Sequence, residues 1–466
     1  MSSREGIDVS VCIPVRNHGR YIGEAVASAL SQDAGHLEVL VHDDASTDDT
    51  AAVVASIADP RVSYMRHASS VGVARNRDSC LAAARGRHLA WLDADDAYLP
   101  GMLARQVAAL EEHPEVGLVH GAFHVVGEDG RRLPDWPAPF KRDTVEPGAV
   151  AFSNLIASNE ITTSTVTVRR RVHDLAGPFA DAPRTSSSDW AMWLRLALRG
   201  DVAYTAEPVA RYRQHAATIS RGTSASGERL RCDIAVVRGI LAMERTLVPD
   251  PRHTAGTGYA ALAAKSLLHA GDLLTRGRRE ASMRAVALAA RLAPRPLAAL
   301  APRLLAGTAR GDSLRCYRTS KAMLSRLADR LEGTRYGAKM RAAAARDADW
   351  EAVLERAAKA VRQVVPDDAY LGAVTKWDPT LLALCARRGQ NFPDRRLLPD
   401  GYPRDGAAAV AHLEAMRADG LSHLVLPSAS FWWLEHYPAL ADHLDGRARQ
   451  LWSDEDCLIY ELEAAP

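Results

Sequence analysis

The sequence predicts an α/β chain: a mixed, mainly parallel sheet at the N-terminus, a helical middle region and a small Rossmann-like α/β part at the end. Three observations predict it. Apolar, β-branched runs alternate with helix-spaced apolar residues over the N-terminal half. The composition turns to Ala, Leu and Arg between Arg229 and about Asp347. Strand-like runs return after Trp350.

The elements follow in order. Val9–Val15 is a β-branched run that reads as a buried strand, and Ile22, Ala25, Val26, Ala29 and Leu30 keep helical spacing behind it. Leu37–His42 is a second strand. It ends in Asp43-Asp44-Ala45-Ser46-Thr47-Asp48-Asp49-Thr50, which offers caps for a helix over 51–57. Val62–Met65, a helix over 74–84 and the strand His88–Leu92 complete the repeating unit. Strand and helix alternating at this interval argue for a parallel sheet, whose ligands sit beyond the carboxyl ends of the strands. Further strands are expected at 116–126, 161–168, 202–205 and 209–213, a loop at 134–147 and a helix at 189–198. A boundary is expected where Ser, Gly and Thr cluster at 220–227. Paired amphipathic helices follow at 260–274 and 278–292. The last part carries strands at 369–374, 422–426 and 457–462. The expected domains are therefore 1–225, 226–348 and 349–466.

Composition excludes some classes of function. A formal net charge of +1 over 466 residues gives no bulk argument for a nucleic-acid partner. Cys12, Cys80, Cys232, Cys316, Cys385 and Cys457 form no C-x-x-C pair, which fits reduced thiols in a cytosolic protein. The N-terminus lacks the apolar core of a signal peptide, and prolines and arginines interrupt the Ala/Leu-rich stretch at 285–305. The expected location is the cytoplasm.

Two acidic clusters, Asp43/Asp44 and Asp93/Asp95, fall at strand ends on one rim. A D-x-D pair directly after an apolar strand points two carboxylates at one ligand. Carboxylate oxygens suit a hard divalent cation that neutralises a departing diphosphate.

These motifs, in this order, resemble family 2 glycosyltransferases of the GT-A fold, bacterial type with C-terminal extensions. Val11-Cys-Ile-Pro-Val-Arg-Asn17 resembles the opening strand, with Arg16 where the family usually has an aromatic. Val41–Asp48 resembles the acidic turn, and Gly72-Val-Ala-Arg-Asn76 the segment before the metal strand. Asp93-Ala-Asp95 resembles the D-x-D. Gly177-Pro-Phe179 and Ser188-Asp189-Trp190 resemble the region of the base, with Ser188 where a Glu is common. Tyr212-Arg-Gln-His215 with Ser220 resembles the last motif. The resemblance runs from Val9 to Ser220. It implies that Pro14 and Val15 line the nucleobase pocket, with Asn17 in the same donor-binding set. It implies that Asp44 accepts from the base imide, Arg75 meets base or diphosphate, and Asp93 lies near ribose and metal. Asp95 and His215 would hold Mg or Mn, and Asp189 would be the general base.

Plainer readings stay open beside these. Asp43, Asp48 and Asp49 suit helix caps, Arg75 a surface charge, Asp189 an N-cap, and His215 a hydrogen-bonded histidine. Trp190 and Trp193 suit a core, although Trp190 is also placed to stack on a sugar. The arginines from 278 to 310 form either a solvated face or a peripheral contact with the inner face of the plasma membrane. Phe431, Trp432 and Trp433 suit packing; no role attaches to the last domain, which lacks G-x-G-x-x-G.

The expected function is inverting transfer of a sugar, UDP-linked by preference, to a glycan, lipid-linked or small-molecule hydroxyl in cell-envelope polysaccharide or glycoconjugate synthesis. A nucleotidyltransferase and a non-catalytic sugar-nucleotide-binding scaffold are the alternatives. The first lacks support because the opening strand ends in Pro14-Val-Arg-Asn17 rather than a Gly-rich loop with Lys.

Overall fold

A computed structural model describes residues 6–181, 187–215, 228–275, 277–310, 313–375, 378, 380–394 and 402–463. Ser220, the boundary expected at 220–227, and Trp377 lie outside these residues. Contacts group the chain into two compact units, 1–262 with 334–336, and 263–333 with 337–466. The helices expected over 226–348 fall partly in each.

Among its described residues the first unit holds nine strands: β1 (Val9–Val15), β2 (Leu37–Asp43), β3 (Val62–Arg66), β4 (His88–Trp91), β5 (Ala97–Tyr98), β6 (Val116–Val126), β7 (Thr144–Glu146), β8 (Thr167–Arg169) and β9 (Asp201–Arg213). Its helices are α1 (Gly19–Leu30), α2 (Thr50–Ala55), α3 (Val73–Ala83), α4 (Met102–Glu112), α5 (Gly148–Ala157), α6 (Arg170–Ala176), α7 (Ser188–Ala197) and α8 (Glu228–Met243). The strands order as β3-β2-β1-β4-β8-β6-β9-β5, with β7 beside β9. β3, β2, β1 and β4 run parallel. β8 runs against both β4 and β6, so β6 and its parallel neighbour β9 point the same way as β4. The carboxyl ends of β1, β2, β4 and β9 therefore share one rim, and the segment leading into β8 enters there too. β1, β2 and β4 are almost wholly buried, as strands covered by helices on both faces must be.

Two prolines sit inside strands, where a missing N–H normally forbids them. The Asp44 N–H donates to the Val15 carbonyl, so Val15 faces β2 and Pro14 faces β4. Pairing of β1 with β4 ends at Cys12 and Trp91, so Pro14 deprives no neighbour of a bond. The sheet opens between β1 and β4 at the rim. Pro208 lies where the β6–β9 register shifts between Gly121 and Phe123. That irregularity joins the two short strands expected at 202–205 and 209–213 into one. The strand expected at 161–168 is mostly a 3-10 turn, Thr163–Thr165, with β8 only three residues long. The loop expected at 134–147 contains β7.

The second unit carries helices and a five-stranded sheet of β10 (Tyr370–Ala373), β11 (Arg388–Asn391), β12 (His423–Pro427), β13 (Ala448–Ser453) and β14 (Cys457–Leu462). β11, β10 and β12 are parallel, and β14 and β13 continue as an antiparallel hairpin. β11 and β13 are too polar to read as strands. Trp433 is buried in the packing of this unit, as expected of that aromatic run. No helix among the described residues is long and apolar enough to cross a membrane.

Candidate active site

The rim positions of β1 and β2 are tied together by short polar side chains. Asn17 holds a left-handed backbone at φ 57°, tolerable for Asn because its side chain bonds locally. Its N–H donates to Ser46 Oγ at 2.8 Å, and its Oδ1 accepts from the Thr47 N–H at 2.7 Å. Asp43 is wholly buried and accepts from the Ser46 N–H at 2.7 Å and Tyr64 Oη at 2.6 Å. Asp48 accepts from the Gly19 N–H at 2.8 Å and the Thr50 N–H at 3.1 Å. Asp43 and Asp48 thus organise the turn. Asp49 occupies the N-cap position of α2 but makes no side-chain cap bond.

Asp44 is buried and reaches across to the start of α3. It accepts from Ser70 Oγ at 2.8 Å, the Val71 N–H at 2.5 Å and the Gly72 N–H at 3.1 Å. A carboxylate offers about four acceptor positions, so room for one further donor remains. Arg16, half-exposed, donates to the same Ser70 hydroxyl at 2.6 Å.

The loop after β4 is the centre of the site. Ser164 Oγ donates to Asp96 at 2.5 Å and accepts from the Asp93 N–H at 3.1 Å. Asp96 is buried and also accepts from the Arg213 N–H at 2.8 Å, while Arg213 Nε donates to the Asp95 carbonyl at 2.9 Å. Burial, followed by the Asp95 and Asp93 carboxylates, pushes the Asp96 carboxyl well up. Asp96 is thus a structural latch rather than a ligand-facing acid.

Asp95 turns outward. His215 Nε2 lies 2.9 Å from Asp95 Oδ2, and His18 Nε2 lies 3.7 Å from the same oxygen. Burial opposes ionisation of Asp95, yet the two imidazoles hold its carboxyl well below the usual range. The donor atoms of His18, Asp95 and His215 all lie within 4.8 Å of one another. Two imidazole nitrogens and one carboxylate oxygen at that spacing suit a divalent cation, and of the Mg or Mn that the sequence predicts the nitrogen-rich set fits Mn better.

Asp93, partly open, receives Arg77 Nη2 at 3.4 Å. Burial raises its carboxyl above the usual range; Arg77 works against this, and the Asp95 and Asp189 carboxylates add to it. Arg77 also donates to Ser188 Oγ, the residue before Asp189, so one guanidinium links the two acidic segments. Asp189 lies in the first turn of α7, with Ser187 at the N-cap, so the capping reading of Asp189 does not hold. Its carboxylate makes no hydrogen bond or ion pair among the described residues. Trp190 is 1% exposed and donates to the Leu155 carbonyl at 2.8 Å. It is core and presents no face to a sugar. Trp193 is buried as well.

Pro14 is half-buried and Val15 buried beside the opening between β1 and β4. Arg75 is exposed on α3 and meets no partner among the described residues. Two residues on, Arg77 is buried and joins both sides of the site. It donates to Asp93 and to Ser188 Oγ at 3.4 Å, and its guanidinium lies 5.5 Å from the Phe179 ring centre. Its neighbour Asp78 accepts from the Phe179 and Ala180 N–H groups at 2.6 and 2.9 Å. Sequence reasoning passed over His18 and Arg77. The signal for Arg77 was its place one helical turn past Val73, on the inner side of α3.

Arg77→Ala is expected to lower stability by about 1–3 kcal/mol, because Asp93 loses its counter-charge and a buried side chain is deleted. The low end applies, since the Asp93 side chain is 35% open. Arg75→Ala is expected to leave the melting temperature unchanged and to act only on the KM for donor. Thermal melts of the two variants beside steady-state kinetics check the pair.

Residues 10–159 match the family described as Glycosyl transferase family 2. An uncharacterized protein of Mycobacterium tuberculosis is 32% identical over 207 residues, 43% of this chain and 57% of that protein. The UDP-Glc:alpha-D-GlcNAc-diphosphoundecaprenol beta-1,3-glucosyltransferase WfaP of Escherichia coli is 27% identical over 220 residues, 46% of this chain and 79% of that one. Among solved structures, Staphylococcus aureus TarS 1-349 aligns with a TM-score of 0.48 at 18% identity, covering 68% of this chain and 91% of that one. Residues 10–159 are a family 2 glycosyltransferase domain.

Proposed function

We propose that the N-terminal unit moves a sugar from a nucleotide diphosphate donor, UDP-linked by preference, to a hydroxyl of a glycan or lipid-linked acceptor, with inversion at the anomeric carbon. The observation that carries this is the Asp95–His215 pair beside Asp93, which Arg77 bridges to Ser188, the residue before Asp189. A bound divalent cation would neutralise the charge that builds on the leaving diphosphate. Asp95 and His215 would hold it. Pro14, Val15 and Asn17 border the opening in the sheet that would take the nucleobase, and Asp44 keeps one acceptor position for an imide N–H. Asp189 removes the proton from the acceptor hydroxyl as that oxygen bonds to the anomeric carbon. The bond from that carbon to the diphosphate oxygen breaks on the opposite face, which inverts the centre.

The relative WfaP is named for a UDP-glucose donor and a diphosphoundecaprenol-linked acceptor, which favours UDP and a lipid-linked acceptor here. A panel of UDP-, dTDP- and GDP-sugars incubated with the full chain and Mn or Mg tests the reading by release of nucleoside diphosphate. No release from any of them would end it, and release without acceptor consumption would favour a hydrolase.

A lipid-linked acceptor would lie at the inner face of the plasma membrane. Arg278, Arg279, Arg284, Arg291, Arg295 and Arg303 are all exposed, as a surface for anionic headgroups requires. Sedimentation with anionic vesicles is expected to carry the chain down at low salt and to release it as salt screens the charges. Equal sedimentation with neutral vesicles, or none at all, would leave these arginines as a solvated face.

A further inference from the structure

We propose that His18 is a third protein ligand of the cation, making a set of two imidazoles and one carboxylate that selects Mn(II) over Mg(II). The inference rests on the proposed reading in which Asp95 and His215 face the donor diphosphate. Three observations carry it. His18 Nδ1 lies 2.7 Å from the Arg16 carbonyl oxygen. A carbonyl cannot donate, so Nδ1 carries the hydrogen, and Nε2 is the nitrogen turned toward Asp95. A ring nitrogen donating to a backbone carbonyl is the usual support of a metal-binding imidazole, since it fixes tautomer and ring plane.

The spacing also fits. Adjacent ligands of a six-coordinate ion with bonds near 2.1 Å stand about 3 Å apart. The distances of 2.9 Å and 3.7 Å from Asp95 Oδ2 to His215 Nε2 and His18 Nε2 bracket that value. The rings are also held. His18 packs edge-on to His215 with centres 5.9 Å apart, and Tyr21 lies 5.3 Å from His215. The left-handed turn at Asn17 delivers His18 to this position. Three protein donors leave three positions of a six-coordinate ion for diphosphate oxygens and water. Mg(II) is the harder ion, holds to oxygen ligands and sheds its water reluctantly, whereas Mn(II), a transition ion, accepts imidazole nitrogen more readily than Mg(II) does.

The test uses the full chain, stripped with a chelator and titrated with MnCl2 in the absence of nucleotide. Free Mn(II) is read from its solution EPR signal, and coupling to imidazole nitrogen from pulsed EPR of the bound ion. The expected result is one Mn(II) per chain, coupling from two imidazoles, and poor displacement by Mg(II). His18→Gln and His18→Ala are expected to weaken Mn(II) binding about 10–100-fold and to leave coupling from one imidazole. Unchanged affinity in both variants, a single imidazole in the parent chain, or Mg(II) competing as an equal would overturn the proposal. Turnover of a nucleotide sugar with Mg(II) alongside any of those results would leave the transferase reading standing. Mn(II) bound through two imidazoles, with no nucleotide sugar consumed, would sink that reading and keep this one.

Discussion

Asp189→Asn is expected to abolish sugar transfer while leaving the donor dissociation constant unchanged. The amide has the size of the carboxylate but no basicity, and a general base contributes about 10²–10⁴-fold in rate. The fold gives this substitution little else to disturb. Asp189 caps nothing, pairs with nothing among the described residues, and occupies the first turn of a helix whose buried side is carried by Trp190, Trp193, Leu194 and Ala197. Removing its charge also relieves the repulsion on Asp93, so donor binding has no reason to weaken. Transfer rate by product release, donor affinity by calorimetry and melting temperature should be measured on one preparation. Near-normal turnover of the Asn variant would remove Asp189 from the role of base.

Asp95→Ala is the second large effect. It deletes the oxygen that both imidazoles face, and the stabilisation a bound cation gives a leaving diphosphate is several kcal/mol, about 10³-fold in rate. The loss should appear as weaker cation binding and should not be recovered by more donor alone. Asp96→Ala supplies the contrast. Asp96 is buried and joins Ser164 to Arg213, so its loss leaves Ser164 Oγ and the Arg213 N–H without an acceptor. The Asp96 variant should therefore melt earliest, whereas the Asp95 variant, which loses its pairing with the two imidazoles, should melt nearer the parent and lose its metal. An Asp95→Ala chain with full activity and parent-like Mn(II) binding would refute the assignment.

The strands that frame the site were legible because burial on both faces demands unbroken apolar, β-branched runs, as in β1, β2 and β4. The acids at their ends were legible because a parallel sheet puts its strand ends on one rim. His18 was not. A lone histidine after Asn17 carries no spacing signal, and its partner Asp95 is brought to it only by the crossing from β1 to β4. His215 was found by resemblance; its distance of 120 residues from Asp95 in sequence is closed by β9 running parallel to β6 beyond β8. Short strands set by their neighbours, β7 and β11 among them, were hidden for the same reason: their residues answer to partners rather than to any pattern of their own. Trp190 suits a core in the sequence, with sugar stacking open only because it adjoins Asp189; successive residues on a helix face about 100° apart, and that turn sends it into the core.

The hold of Asp44 on residues 70–72 has a consequence for anyone wishing to retool this protein. Those residues lead into α3, whose 11 residues extend about 16 Å at 1.5 Å per residue. The same helix carries Arg77 and Asp78, which grip Asp93, Ser188 and the Phe179 turn. A library that varies the nucleotide side at Asp44 or Ser70 will also tilt the rod on which the base side hangs. Gains in donor range should then arrive with unplanned changes in acceptor choice, and positions 44, 70, 77, 78 and 188 should be diversified together as one inherited block.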